Sequence, residues 1–197
     1  NEEKVNRVLQ QYTGDLWQGP PMYSAVRVGG EKLYERARRG ETVERKARSV
    51  TIYGINLVRA EKEKLMFDVT CSRGTYIRTL CCEIAESLGT AGHMSFLLRT
   101  EVGPFVVADA LTLEECTSLH ERQILHTRLV PSDKALMHLP AVEVTADQAQ
   151  QLKNGAAVLW VRNAEDGTRL RVYGPNQEFI ALSEIRDGYL RPRKVFI

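Results

Sequence analysis

The sequence lacks several features that would place it in a specialised class of protein. None of its apolar runs is long enough to span a bilayer, and no stretch has a signal-peptide pattern. Its four cysteines show none of the C-x-x-C or Cys/His spacings that are typical of zinc and redox sites. We therefore expect a cytoplasmic protein with reduced thiols, no metal and no contact with a membrane.

A strong excess of charge of one sign is also missing, because the net charge is only +2. With 43% hydrophobic and 26% charged residues, the composition is that of a globular protein. Positive charge is concentrated locally, since residues 27–48 contain eight Lys or Arg against four Glu. Such a basic stripe suits phosphate contacts. The alternative is a solvated surface on which Glu31 and Glu35 pair with Arg39.

The chain is organised around residues 71–78, which read CSRGTYIR. Residues 65–71 alternate apolar and polar side chains, which predicts a half-buried strand that forms an antiparallel hairpin with residues 48–58 across the polar turn 61–64. Apolar residues then recur at helical spacing from Ile77 to Leu88 and stop at Gly89, which predicts a helix. Polar side chains on a turn between two rigid elements often form a site. The alternative is that Thr75 only caps the helix while Tyr76 and Arg78 decorate its first turn.

Patterns elsewhere predict further elements on both sides of this junction. Before residue 131 they are a helix in 1–11, a loop over 14–21, strands over 22–28 and 48–58, a helix over 32–39, a strand over 94–102 and a helix start at Thr112 with the Thr-x-x-Glu capping pattern. After residue 131 they are a short helix between Pro131 and Pro140, a helix and turn near 149–155, and strands over 169–173, 179–182 and 194–197.

Five segments of the chain resemble, in order, the signatures of the bacterial tRNA pseudouridine synthases of the TruB type. Residues 18–27 (QGPPMYSAVR) are similar to the family's Q-x-P-P-x-Y-S-A-x-K, and residues 33–40 (LYERARRG) to its L-Y-E-x-A-R-x-G. Residues 71–78 resemble its third signature. Residues 93–100 (HMSFLLRT) and 109–115 (DALTLEE) resemble its A-H-x-x-x-L-x-R-T and D-A-x-T-L-E-E segments.

The resemblance implies an α+β fold with two domains. Residues 1–130 would be the C-terminal part of the catalytic domain, a mixed or antiparallel sheet with helices, and residues 131–197 a small β-rich PUA-like domain. The family's nucleophile is an aspartate in a G-x-L-D-x-x-A-x-G-x-L segment. None of the seven aspartates here has that context, so we expect a fragment that lacks the nucleophile and is inactive alone.

The resemblance also implies roles for individual residues. Arg78 corresponds to the arginine that pairs with the nucleophile, Tyr76 to the tyrosine at the target base, and Leu97 to an apolar residue that lines the base pocket. Supporting or RNA-contacting positions are Tyr23, Arg27 and Arg73, and Arg27 departs from the family's usual lysine. A shared pocket requires the helix to begin near Arg78, or Tyr76 to lie on the turn itself.

The implied function is conversion of uridine 55 in the T-loop of tRNA to pseudouridine, without a cofactor. The expected partner is the T-arm of tRNA, bound by a monomer. One alternative is an RNA-binding module without catalysis, because the nucleophile is absent from these residues. The other is a β-rich protein-interaction fragment whose basic stripe is ordinary surface.

Overall fold

A computed structural model describes residues 2–160 and 165–196 of the chain. These residues form two compact units that divide between Leu97 and Leu98. We refer to them as unit one and unit two and describe each by itself. The domain boundary expected at residues 130 and 131 stays a prediction.

Unit one combines a three-stranded antiparallel sheet with three helices. In chain order its elements are α1 (Glu2–Gln11), β1 (Gly14–Gln18), β2 (Arg27–Val28), β3 (Glu31–Lys32), α2 (Leu33–Arg38), β4 (Arg48–Ala60), β5 (Leu65–Cys71) and α3 (Ile77–Ser87). The sheet has the order β1-β4-β5, and the short β2 and β3 form a separate hairpin. The predicted hairpin of β4 and β5 around residues 61–64 is confirmed.

The core of unit one lies on a single face of this sheet. Val5, Val8 and Leu9 repeat at helical spacing in α1 and are buried, as are Leu80 and Ile84 in α3. They pack with buried residues of β4 and with alternate side chains of β5. Because α3 packs on this face, the turn that leads into it is fixed at the end of β5.

Two local predictions for unit one were wrong, and both concern residues 14–28. Residues 14–18, predicted as a loop, form β1, because they pair in continuous register with β4 from Gly14 opposite Ile52 to Gln18 opposite Arg48. Residues 22–26, predicted as a strand, bend instead: the Ser24 amide donates to the Met22 carbonyl at 2.9 Å. Their alternation resembled a strand, but here only residues 27 and 28 pair, with β3.

The strand predicted over residues 94–102 was also wrong for most of its length. Residues 91–100 form neither helix nor strand, and pairing begins only at Glu101. Phe96, Leu97 and Leu98 are between 52% and 70% exposed. These apolar side chains therefore do not belong to a sheet core among the described residues.

Unit two is richer in strands. Its elements are β6 (Glu101–Val102), β7 (Phe105–Val106), α4 (Leu113–Glu121), β8 (Ala141–Glu143), α5 (Ala146–Lys153), β9 (Val158–Leu159), β10 (Arg169–Tyr173), β11 (Phe179–Arg186) and β12 (Tyr189–Val195), with 3-10 helices at Val107–Asp109, Leu125–Arg128 and Ser132–Leu136. The capping box at Thr112 and Glu115 is confirmed, because each side chain accepts from the other's backbone N–H. The last strand begins five residues earlier than predicted, and Ile197 lies outside the described residues.

A five-stranded sheet of order β8-β10-β11-β12-β9 forms the body of unit two. Its core contains buried side chains from β9, β10, β11, β12 and α5, and Val142 of β8 packs against them. Arg171 is 9% exposed, and its guanidinium donates to the Leu139 carbonyl at 3.1 Å and to the Tyr173 hydroxyl at 3.0 Å. Tyr173 in turn donates to Asp133. This polar network attaches the segment before β8 to the sheet.

Candidate functional site

The junction between β5 and α3 is a turn whose geometry follows from its sequence. Gly74 adopts φ +85°, a conformation that residues with a side chain rarely take. Ser72 extends the pairing with β4: its amide donates to the Thr51 carbonyl at 2.8 Å and its Oγ accepts from the Thr51 amide at 2.9 Å. The Thr75 hydroxyl donates to the Ser72 carbonyl at 2.9 Å. The turn is thus held on both sides of its glycine.

The alternative role of Thr75 as the helix cap was wrong. Helix α3 begins at Ile77, its N-cap residue is Tyr76, and Thr75 uses its hydroxyl within the turn. Tyr76 has extended backbone angles of φ −95° and ψ 99°. The geometric requirement for a shared pocket is met, because Tyr76 lies on the turn and Arg78 is only the second residue of the helix.

Arg78 connects the turn to the segment that carries Tyr23. Its Nη2 donates to the Tyr23 carbonyl at 2.7 Å, across 55 positions of the sequence. The Arg78 side chain is exposed, and the Tyr23 ring is 59% exposed. A guanidinium has five donors, so this one bond leaves Arg78 able to bind a carboxylate as well.

Gln18 is a functional candidate that the sequence prediction missed. It is 3% exposed at the end of β1, and its Oε1 accepts from the Tyr76 amide at 2.7 Å while its Nε2 donates to the Tyr76 carbonyl at 3.1 Å. The only sequence signal was a polar residue at the first position of the Q-x-P-P segment. Together, Gln18 and Arg78 attach both ends of residues 18–23 to the start of α3.

Of the other predicted site residues, only Arg73 belongs to the turn. Arg73 is exposed on the turn itself, next to Gly74. Arg27 donates to the Gly30 carbonyl at 3.0 Å and thus closes the β2–β3 hairpin. Leu97 lies 52% exposed in the segment without helix or strand. The roles of these residues, like those of Tyr76 and Arg78, stay predictions.

The basic stripe of residues 27–48 is partly neutralised by its own glutamates. Glu31 pairs with Arg36 at 3.2 Å and with Arg39, and Arg39 also pairs with Glu41 at 2.7 Å. The Arg39 guanidinium lowers the pKa of both glutamates. Lys32 and Arg38 lie over the Tyr34 ring, each 5.4 Å from its centre. The alternative named from the sequence, in which Glu31 and Glu35 pair with Arg39, is therefore present for Glu31. The Glu35 carboxylate instead accepts from the Lys32 amide.

Every helix in the part of the chain that the structure describes is too short or too polar to span a bilayer. The described residues contain no cluster of three His, Cys, Asp or Glu side chains that could hold a metal ion. A concave region of about 320 Å³ lies in unit two beside Phe105, Asp109 and Arg128. The predicted site residues do not line it, so the turn in unit one remains the candidate site.

The sequence pattern around residues 71–78 predicted a strand, a glycine turn and a helix start, and all three are present, with Tyr76 and Arg78 at the junction. Sequence models of one family match almost the whole chain. The model of the TruB family pseudouridylate synthase N-terminal domain matches residues 1–77. The model of the tRNA pseudouridylate synthase B C-terminal domain matches residues 78–137, and that of the pseudouridine synthase II TruB C-terminal domain matches residues 140–196.

Curated relatives agree with these matches. The chain is 43% identical to tRNA pseudouridine synthase B of Geobacillus thermodenitrificans over 98% of its length, and 37% identical to that of Burkholderia mallei over 100%. It spans 67% of each of these relatives and 53% of the Bacillus licheniformis relative, to which it is 45% identical. The chain belongs to the TruB family of pseudouridine synthases.

The fold is also found among solved structures. A Cbf5-Nop10-Gar1 complex contains a chain that matches with a TM-score of 0.77 at 24% identity, over 100% of this chain and 62% of that one. An H/ACA RNP bound to a substrate RNA gives the same TM-score at 22% identity. At these identities the likeness shows the fold alone. It confirms the predicted α+β class, and the curled sheet of unit two agrees with the predicted PUA-like domain.

Proposed function

We propose that this chain is the RNA-facing part of a tRNA pseudouridine synthase that acts on uridine 55 of the T-loop. The observation that carries the proposal is the match to tRNA pseudouridine synthase B over 98% of the chain. The partner is the T-arm of tRNA, which a monomer binds in the cytoplasm. The reaction breaks the N–C glycosidic bond of a uridine and rejoins the sugar to C5 of the same base.

The turn before α3 suits this reaction because a uridine in folded RNA must leave its stack before a residue can attack it. Stacking on an aromatic ring offsets part of the unstacking free energy, and the half-buried Tyr76 is the ring in the proposed site. A nearby arginine keeps a carboxylate ionised by lowering its pKa. Arg78 has free donors for this purpose. Leu97 would line the pocket, and Tyr23, Arg27 and Arg73 would support it or contact RNA.

The nucleophilic aspartate of the family signature is not among these residues, because none of the seven aspartates has the G-x-L-D context. We therefore expect the chain by itself to bind tRNA without converting it. The polypeptide that the gene encodes should convert uridine 55 in an unmodified tRNA transcript, as detected by carbodiimide modification and primer extension. A transcript with cytidine at position 55 is the control.

Four outcomes separate the candidate functions. Conversion by the gene product but not by residues 1–197 supports the proposal, whereas conversion by residues 1–197 contradicts the missing nucleophile. Binding without conversion by either polypeptide would favour a non-catalytic RNA-binding module. Binding that does not change between low and moderate salt would contradict phosphate contacts by the basic stripe.

A further inference from the structure

The Gln18 side chain holds both backbone polar groups of a single residue. Its carboxamide accepts from the Tyr76 N–H at 2.7 Å and donates to the Tyr76 C=O at 3.1 Å. This is the pattern by which a neighbouring strand pairs with a residue in a sheet. The opposite orientation of the amide would place its NH₂ against the N–H of Tyr76, so the two bonds define a single arrangement.

Tyr76 depends on this support because tyrosine is a poor N-cap residue. Ser, Thr, Asp and Asn are preferred there because their side chains accept from the first helical N–H groups. Tyr76 makes no such bond. Its carbonyl accepts from the Leu80 amide at 3.1 Å as well as from Gln18, so both of its lone pairs are used. Gln18 therefore adds two bonds to a residue whose own side chain makes no capping bond to the helix.

Fixing both peptide groups of a residue also fixes the direction in which its side chain leaves the backbone. The N–H and C=O of Tyr76 lie on either side of its Cα, so a clamp on both sets φ, ψ and the Cα–Cβ direction. The amide that does this is buried, at 3% exposure, where water cannot replace its bonds. β1, whose last residue is Gln18, is in turn held in register by β4.

We propose that Gln18 is a positioning residue, which aims the Tyr76 ring at the target uridine through these two backbone bonds. This inference rests on the proposed function, because it assigns Gln18 a part in that same site. A preformed ring position matters because a displacement of about 1 Å can lower a rate by roughly 100-fold. A purely structural Gln18 would stabilise unit one without any separate effect on turnover.

The test replaces Gln18 and a matched control glutamine in the same unit. Q18M keeps the approximate length of the side chain and removes both bonds, whereas Q18E keeps the acceptor and loses the donor. Gln10 is the control, because its Nε2 also donates to a backbone carbonyl, that of Ile55 at 3.3 Å. Q10M removes that bond on α1, away from the turn.

Two measurements are made on each variant. In residues 1–197, hydrogen exchange of the Tyr76 amide should be at least about tenfold faster in Q18M than in the wild type, and unchanged in Q10M. In the polypeptide that the gene encodes, kcat for the tRNA transcript should fall roughly tenfold or more in Q18M with KM within about twofold. Q18E should lie between Q18M and the wild type in both measurements.

Each outcome decides the inference. The inference is overturned if exchange of the Tyr76 amide is unchanged in Q18M. It is also overturned if that exchange becomes faster while kcat stays equal to that of the wild type. Equal losses of kcat in Q18M and Q10M would show general destabilisation and also overturn it. If Q18M does not fold, the same comparisons are made with Q18E. An inactive wild type contradicts the proposed function instead, and the exchange comparison then decides whether Gln18 fixes Tyr76.

Discussion

The two units support their sheets in different ways. In unit one, helices α1 and α3 cover one face of the sheet, while Trp17 and Tyr53 are 76% and 64% exposed. In unit two, three consecutive residues of β10 are buried, Leu170 to Val172, so side chains on both faces of that strand are covered. The comparison teaches that buried side chains on both faces stabilise β10 in the sheet of unit two. The candidate site of unit one instead depends on a few hydrogen bonds at the end of a sheet that helices cover on one face.

The largest effect should come from matched cavities in the two cores. Leu190 and Leu80 are both 0% exposed, one in each unit. Replacing a buried leucine by alanine costs about 2–5 kcal/mol, and more where the surroundings cannot relax into the cavity. We expect Leu190→Ala to lie near the upper end of this range and Leu80→Ala near the lower end, as measured by chemical denaturation.

Leu159→Ala is the control for both, since Leu159 is 59% exposed on β9 and should change stability by less than about 0.5 kcal/mol. Equal losses of unfolding free energy for Leu80→Ala and Leu190→Ala would contradict the contrast between a sheet covered on one face and a strand buried on both faces. A single unfolding transition that both substitutions shift together would show that the two units unfold as one.

A smaller effect should follow from the polar network of unit two. Tyr173→Phe removes the hydroxyl that bonds both Arg171 and Asp133. Leaving such partners without a hydrogen bond costs about 1–3 kcal/mol. Tyr189→Phe is the matched control, because Tyr189 is 41% exposed on β12. A loss of stability as large in Tyr189→Phe as in Tyr173→Phe would contradict the importance of the network.

The same tyrosine should make unit two sensitive to alkaline pH. Burial raises the pKa of Tyr173 above its usual value of 10.0, and the hydrogen bond to Asp133 raises it further. Because the folded pKa is above the unfolded one, this contribution to stability is complete below pH 10 and is lost as the pH rises through the folded pKa. Denaturation between pH 9 and 11.5 should show this loss in the wild type and a weaker one in Tyr173→Phe.

The smallest effect on folding should come from the basic stripe. Glu31→Gln frees Arg36 from its carboxylate partner and leaves Arg39 with Glu41 alone. Exposed ion pairs contribute little to stability, so the denaturation midpoint should barely change. The affinity for a T-arm hairpin should rise a few-fold at low salt, as measured by fluorescence anisotropy, because phosphates no longer compete with this glutamate.

Glu61→Gln is the control for this change, since Glu61 pairs with Arg59 on the hairpin of β4 and β5. It should leave the affinity for the hairpin unchanged. An equal rise in both variants would point to net charge rather than to the stripe, and no rise in Glu31→Gln would place RNA elsewhere on the chain.

The sequence was most informative where local chemistry and packing agree. The hairpin of β4 and β5, helix α3 and the capping box of α4 were all predicted, because alternation, helical spacing and caps each fit the final environment. The turn position of Tyr76 is one of the two geometries that a shared pocket required, and the helix start at Ile77 provides it. Single-sequence patterns carry these features because each depends on residues that are close in the sequence, at most within one hairpin.

The misses share the opposite cause. β1 exists because β4 pairs with it, and residues 22–26 bend with partners on distant elements, such as Arg78. Gln18 could not be found from its own neighbourhood, because its role depends on a backbone 58 residues away. Tertiary partners override local preference in each case.

The pairing of Gln18 with Arg48 has a consequence for how this protein can vary. Because Gln18 and Arg48 are paired neighbours in the sheet, residues 19–47 form one long loop whose two ends lie side by side. Insertions or deletions within the loop would not shift β1 relative to β4. Related proteins could therefore remodel the surface of this loop, through changes in length as well as charge, while Gln18 and the turn before α3 keep their alignment.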